Sequence, residues 1–259
     1  MENEHAWEID FALEKVPPDA LAAYPLTALA EQRNLHMDML RESGRRSDAH
    51  IARYTLARQL VKPGDIVLDI ACGLGYGSTI LAAETGAQRV IGIDNSPYAI
   101  DYADANFGAG YPATDFRLGD VMELGSLADN SIDVAVSFET LEHLPDPEAF
   151  LVQLARLIRP GGRAAFSVPN DWTDESGKDP NPYHFHAYDW HRFHEQINRH
   201  FVMEKAYAQI AGGAMKLTDH PRRLREVPVS DTQTEPAEWW LATARKKADL
   251  RRSSASFQG

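Results

Sequence analysis

The sequence predicts an α/β fold built on a doubly wound, seven-stranded sheet, mostly parallel, with one antiparallel strand near the C-terminus. Three observations lead there. Short apolar β runs alternate with helical segments from residue 62 to residue 168, the pattern of parallel βαβ units covered on both faces. Gly-rich or Pro-rich punctuation separates the runs. Two further β runs, 201–210 and 239–244, come late in the chain.

The elements follow in order. Residues 1–46 are acidic and broken by Pro17, Pro18 and Pro25, so they read as a loosely ordered arm with short helices. Ser47 is the expected N-cap of a helix from Asp48 to Leu60. There Ile51, Tyr54, Thr55 and Arg58 recur at i, i+3, i+4 and i+7, a mixed face suited to roof a pocket. A Pro63-Gly64 turn leads into a strand over 66–70, then a glycine-rich bend and a helix through Ser78–Thr85. The second strand is 89–94. Pro97 suits the first turn of a helix running to about Asn106. Thr114–Gly119 is the third strand, and Ile132–Phe138 the fourth, after the turn Asp129-Asn130-Ser131. The helix Pro147–Arg159 puts Phe150, Leu151, Leu154, Leu157 and Ile158 on one face and stops at Pro160-Gly161-Gly162. Arg163–Val168 is the fifth strand. An insert of about 170–190, a long loop of about 211–238 and the two late strands complete a single domain expected over 47–247. The tail 248–259 is expected to be disordered.

Composition narrows the class. A chain of 259 residues holds one α/β domain of the larger kind. Its single cysteine, Cys72, excludes a disulfide framework or a thiolate zinc cluster and reads as a small buried filler. No apolar stretch reaches the roughly 18 residues needed to span a bilayer. The acidic opening MENEHAWEID does not resemble a secretory signal, so a reducing cytoplasm is the expected location. Net charge is −12, the wrong sign for a protein that holds nucleic acid through phosphates. Residues 1–215 carry 17 Lys and Arg against 32 Asp and Glu, whereas 216–259 carry 9 against 6. The C-terminal basic clusters around Arg222 and Lys246 read as solvated surface.

The most informative block is Val67-Leu-Asp-Ile-Ala-Cys-Gly-Leu-Gly-Tyr-Gly-Ser78. A strand carries Asp69, glycines 73, 75 and 77 follow, and a helix begins. Glycines allow a tight bend and close approach by a ligand, and the helix start offers free N–H groups. The spacing Gly-x-Gly-x-Gly differs from the dinucleotide fingerprint Gly-x-Gly-x-x-Gly. Asp94 ends the next strand, where a carboxylate can accept hydrogen bonds from both ribose hydroxyls, and Asp120 follows the third strand. This set closely resembles the class I S-adenosylmethionine-dependent methyltransferases, over residues 47 to 210. The resemblance implies a Rossmann-like sheet and S-adenosyl-L-methionine as cofactor. It implies that Asp69, Ala71, Gly73 and Gly75 line the methionine end and that Asp94, flanked by Asn95 and Ser96, holds the ribose. Asp120 and Val121 would meet the adenine, with Phe138 as a floor. Ala71 stands where many members carry Gly; being small, it is expected to do little harm.

A second constellation, Phe138-Glu-Thr-Leu-Glu-His-Leu144, places Glu139, Glu142 and His143 at i, i+3 and i+4, on one face if the segment is helical. Two carboxylates there repel unless paired, protonated or bound to a cation. Glu-x-x-Glu-His resembles the metal-binding segment of small-RNA 2′-O-methyltransferases and ubiquinone-biosynthesis O-methyltransferases. In the RNA group a further histidine follows the fifth strand, a place that His184 or His186 fills here. Two readings stay open. In one, Glu139, Glu142, His143 and His184 or His186 ligate Mn²⁺, Mg²⁺, Fe²⁺ or Zn²⁺. In the other, no metal is bound: His143 or His184 is a general base, or His143 is a wall of the pocket, with Glu139 hydrogen-bonded locally.

The insert contains Trp172, Tyr183, Phe185, Tyr188 and Trp190, aromatic faces that suit sugar rings or planar phenols. Tyr188 and Trp190 serve equally well as anchors, since Asp189 looks like a helix cap. Trp239 and Trp240 read as core. The expected activity is O-methylation of a small-molecule or glycan hydroxyl, the glycan assignment supported by a likeness of Asn181-Pro-Tyr-His to bacterial methyltransferases of polysaccharide assembly. The alternatives are a phenolic or quinone-precursor hydroxyl, RNA 2′-O-methylation, and a non-catalytic S-adenosylmethionine-binding scaffold. The sequence does not reveal the oligomeric state.

Overall fold

The computed structural model describes residues 48–171, 173, 177, 179, 181, 183–210, 223–230, 232–233 and 236–247. The N-terminal arm, Ser47, Trp172 and the C-terminal tail lie outside them. The first helix, α1, spans Asp48–Ala57 and passes into a 3-10 turn at Arg58–Leu60. There follow β1 (Ile66–Ile70), α2 (Tyr76–Thr85), β2 (Arg89–Asp94), α3 (Pro97–Ala103) and β3 (Thr114–Leu118). Next come β4 (Ile132–Phe138), α4 (Pro147–Leu157), β5 (Ile158–Pro169), α5 (Trp190–His200), β6 (Phe201–Ile210), β7 (Arg223–Val227) and β8 (Trp239–Lys246).

One sheet holds the strands in the order β3-β2-β1-β4-β5-β8-β6-β7. Side chains alternate between its two faces because the strand period is two. Val67, Val90, Val134, Val136 and Ala165 pack under α1, α2 and α3. Leu68, Ile91, Ala135, Ala164 and Phe166 pack over α4 and α5. This two-sided burial is why β1, β2 and β4 read as near-continuous apolar runs. Side chains cap three of the helices: Ser96 accepts from the Ala99 N–H, Asp146 from Ala149 and Asp189 from Arg192.

The sheet has eight strands rather than the expected seven, and two of them run against the rest. The stretch expected to be loop carries β7, which pairs antiparallel with β6 from Ala206 opposite Val227 to Ile210 opposite Arg223. Arg-Leu-Arg-Glu-Val has no apolar run. Its backbone is held by the open edge of β6, and of Leu224, Arg225, Glu226 and Val227 only Val227 is buried. The antiparallel β8 inserts between β5 and β6 as expected. Helix α4 ends two residues before Arg159. The chain enters β5 directly at Ile158, paired with Ile132, and a register irregularity before Val134 accommodates Pro160-Gly161-Gly162. Helix α3 is shorter than expected and widens into a π turn at Asp104–Gly108.

Between β1 and β4 the strand order reverses direction. At such a switch point the loops leaving neighbouring strands diverge and open a crevice at the strands' C-terminal ends.

Candidate functional site

A cavity of about 380 Å³ occupies that crevice. Its walls come from the loops after β1, β2 and β4, from α1 above, and from Tyr183 and Phe185 at the mouth. Of the residues expected near the cofactor, Ala71, Gly73, Asp94, Asn95, Val121 and Phe138 line it. A Cβ added at Gly73 would meet nothing within 4 Å, so the bend presents bare backbone to empty space. Ala71 has φ +56°, a left-handed conformation that costs a non-glycine residue about 1–2 kcal/mol. Its consequence here is therefore backbone strain, whatever the size of its side chain.

Asp94 is nearly buried at the tip of β2. One carboxylate oxygen accepts the Gly73 N–H at 2.9 Å and the other accepts the Ser96 N–H at 2.9 Å. Burial raises its pKa, and those backbone N–H groups oppose the rise. A carboxylate has about four acceptor sites, more than these N–H groups use, so Asp94 can still accept from a ligand.

Asp69, Gly75, Ser96 and Asp120 stand off the cavity wall. Asp69 is fully buried beneath it, accepting the Ser78 hydroxyl at 2.7 Å and the Tyr54 hydroxyl at 3.1 Å. Desolvation raises its pKa to about 7, although both hydroxyls stabilise the carboxylate. Gly75 is required by packing: a Cβ would stand 2.5 Å from that of Ala103 and 2.7 Å from the Phe116 ring. Ser96 is engaged as a helix cap. Asp120 is exposed and accepts the Met122 N–H at 2.8 Å.

Helix α1 supplies the roof. Tyr54 lines the cavity, packed edge-on against Tyr76 and Phe138 with ring centroids 5.9 and 5.1 Å away. The periodic face had singled out Tyr54. His50, from the same helix, also lines the cavity and carried no sequence signal. Neither did Arg53, which is fully buried and donates from Nε to Gln209 Oε1 at 2.8 Å.

The segment after β4 is no α-helix. Glu139 has φ +50°, and Leu141–His143 form a 3-10 turn, which sends the two glutamates to different places. Glu139 reaches the cavity edge, but its carboxylate is already paired. Oε1 meets Arg53 Nη1 at 3.3 Å and the Ser167 hydroxyl at 3.1 Å, and Oε2 accepts the Trp239 indole N–H at 2.8 Å. Glu142 points inward with no exposure, and neither carboxylate oxygen has a hydrogen-bond partner among the described residues. Burial, then the charge of Glu139, drives its pKa well up.

Glu142, His143 and His184 each place one ligand atom within 4.8 Å of the others. The imidazoles of His143 and His184 meet edge to face at 4.7 Å between centroids. His143 Nδ1 lies 3.0 Å from the Tyr183 carbonyl. A carbonyl only accepts, so Nδ1 carries the proton and Nε2 a lone pair. Burial lowers the His143 pKa, which keeps the ring neutral. His184 Nδ1 lies 2.7 Å from Asp179 Oδ2, and its Nε2 lies 2.9 Å from Asn181 Nδ2. A carboxylate behind a histidine is the arrangement that orients imidazole ligands in metal sites. His186 is not brought into the group; its Nδ1 lies 3.0 Å from Arg192.

At the mouth, Tyr183 and Phe185 remain 55% and 66% exposed, large aromatic surfaces turned to solvent. Tyr188 and Trp190 are buried anchors, Tyr188 donating to Gln196 at 2.7 Å and Trp190 to the Ser230 carbonyl at 2.8 Å. Trp239 and Trp240 are buried, as is Cys72, whose thiol pKa burial pushes up. Among the described residues no helix is long and apolar enough to cross a membrane.

Comparison with known proteins agrees with this geometry. Residues 68–166 match the family model described as "Methyltransferase domain". The chain is 41% identical over 123 residues to a "probable S-adenosylmethionine-dependent methyltransferase" of Mycolicibacterium smegmatis, covering 47% of this chain and 45% of that protein. It is 35% identical over 115 residues to a ubiquinone biosynthesis O-methyltransferase of Xanthomonas campestris pv. campestris, covering 44% and 47%. The chain thus spans less than half the length of these relatives. In fold it is similar to a SAM-dependent methyltransferase from Thermotoga maritima, with TM-score 0.61 and 15% identity over 88% of this chain and 99% of that one. It is also similar to a methyltransferase from Haloferax volcanii solved in complex with the Trm112 activator, with TM-score 0.59 and 18% identity over 89% and 97%. The glycine bend after β1, the acidic tip of β2 and the match across 68–166 mark residues 68–166 as a methyltransferase domain, similar in sequence to S-adenosylmethionine-dependent methyltransferases.

Proposed function

We propose that this domain transfers a methyl group from S-adenosyl-L-methionine to a hydroxyl oxygen of a small molecule or glycan. One observation carries the reading: Gly73, Asp94 and Asn95 share a single cavity with His143. In this reading the bare backbone at Gly73 and the neighbouring Ala71 take the methionine end. Asp94 takes the ribose hydroxyls, Val121 the adenine, and Phe138 the floor. When bound, S-adenosylmethionine supplies an electrophilic methyl group on a positively charged sulfur.

His143 then has one of two tasks, both at Nε2. It accepts the acceptor's hydroxyl proton, which its neutral ring and fixed tautomer permit. Or it joins Glu142 and His184 in holding a divalent cation, which would supply Lewis acidity toward that hydroxyl. The residues fit a cation: a buried carboxylate without hydrogen-bond partners among the described residues faces two imidazoles. Mixed carboxylate and imidazole donors suit Mn²⁺, Fe²⁺ or Zn²⁺ better than Mg²⁺. His184 would hold such an ion through Nε2, the atom that here lies 2.9 Å from Asn181 Nδ2.

A phenolic or quinone-precursor acceptor is favoured by one feature, the exposed aromatic pair Tyr183 and Phe185 at the mouth. The net charge of −12 weighs against RNA. The deciding experiment incubates the protein with labelled donor and fractionated cell extract and identifies the labelled product by mass spectrometry. An O-methylated product supports the reading. Tight donor binding with no transfer to any fraction would instead favour a non-catalytic scaffold.

A further inference from the structure

Two glutamates three residues apart meet opposite fates here. Glu142 is buried with both carboxylate oxygens lacking hydrogen-bond partners among the described residues. Glu139 is held by groups from three other elements. Arg53 comes from α1, Ser167 from β5 and Trp239 from β8. The Arg53 guanidinium also lies over the Trp239 ring, 5.0 Å from its centroid, and its Nε is fixed by Gln209 of β6. Four of these five side chains are essentially buried, so the arrangement has little freedom to relax. A buried arginine left without a carboxylate is costly, and so is a carboxylate left without its cation.

The Glu139 backbone is held too. Its N–H donates to the Ser167 carbonyl at 3.1 Å, and its left-handed φ leads into the 3-10 turn Leu141–His143, where Glu142 Oε1 lies 4.0 Å from His143 Nε2. Glu139 lines the same cavity as His143, and its charge acts on Glu142.

We propose that Arg53 reserves Glu139: it keeps this carboxylate out of the ligand set of the cluster, leaving Glu142, His143 and His184 as donors, and makes Glu139 a positioning residue that ties α1 to the turn carrying them. The cation part rests on the proposed function above; the ion pair itself does not. The consequence is specific. Removing Arg53 leaves Glu139 without its cationic partner, held only by the neutral donors Ser167 and Trp239, so a divalent cation beside it gains a carboxylate it can compete for.

The test titrates the full-length chain with Mn²⁺ alone, following free Mn²⁺ by electron paramagnetic resonance. Glu142→Gln is expected to weaken binding at least about 30-fold, and Glu139→Gln less than about 3-fold. Arg53→Met is expected to tighten it at least about 5-fold, and Glu139→Gln in the Arg53→Met background to cancel that gain. A merely structural role for Arg53 would not tighten binding. Equal losses in Glu139→Gln and Glu142→Gln overturn the proposal, as does a folded Arg53→Met protein that binds Mn²⁺ no tighter than its parent. A parallel double-mutant cycle on urea stability asks about the ion pair without any cation. Arg53→Met alone should be less stable than the double variant, and strict additivity overturns the pairing. If the parent takes up no Mn²⁺, the cation reading of the function fails, and this cycle alone decides whether Arg53 holds Glu139.

Discussion

The ring of Tyr54 occupies the space directly above Gly77. A Cβ built on residue 77 would overlap the ring, 1.9 Å from its Cζ, 2.2 Å from Cε2 and 2.3 Å from Cε1. Helix α1 therefore lies on α2 with no atom to spare, and this contact brings the Tyr54 hydroxyl to Asp69 at 3.1 Å. The third glycine of the bend serves the roof of the cavity, not its floor.

Gly77→Ala follows from this contact. The ring is rigid and closed in by Tyr76 and Phe138, so the methyl must lift α1. Overpacking of this kind costs about 1–3 kcal/mol, and loss of the Tyr54–Asp69 hydrogen bond adds to it. Urea unfolding measures the cost. A change within about 0.5 kcal/mol of zero, the usual range for surface substitutions, would show that α1 is not seated as described.

Asp69 makes the stability of the ligand-free protein depend on pH. Its folded pKa is raised from 3.8 to about 7, so the folded state binds the proton more tightly than the unfolded chain does. Stability from this group is complete below about pH 4 and is lost as pH rises through about 7, to an upper figure of about 4 kcal/mol. Asp94 shifts in the same direction, so Asp69→Asn should flatten only part of the slope. Denaturation curves between pH 4 and 8 test this. Identical slopes in parent and variant would remove Asp69 as the source.

Asp94→Ala should weaken S-adenosylmethionine binding by roughly 10- to 100-fold, the value of one or two hydrogen bonds to a charged acceptor. Its other partners are the N–H groups of Gly73 and Ser96, so Asp94→Asn serves as a milder control. Calorimetry reads both variants. Unchanged affinity in Asp94→Ala would refute the ribose role.

His143→Ala should lower turnover by about 10²- to 10⁴-fold while sparing donor affinity. Equal loss of both would indicate misfolding. Where His143 serves as a cation ligand, exhaustive chelation abolishes transfer and Mn²⁺ restores it. Full activity after chelation leaves His143 Nε2 as the base and removes the cation from the account.

Much of this protein is legible in its residues alone, because the signals are local. A strand covered on both faces must be apolar throughout, so β1, β2 and β4 declare themselves. A backbone that bends away from a strand tip needs glycine, so the loop after β1 does as well. Asp94 is visible because it ends a strand whose limits are clear. Tertiary contacts decided the rest. Asp69 and Asp94 look alike in sequence, yet one is buried under Tyr54 and Ser78 and the other reaches the cavity, since only packing sets which side of the bend is covered. Glu139 and Glu142 share one short segment, and their separation depends on Arg53, 86 residues away, and Trp239, 100 residues away. Strand β7 exists because β6 offers an unpaired edge. Ion pairs and edge pairings between distant segments leave no periodicity in the chain, so they become visible only once the fold has brought their partners together.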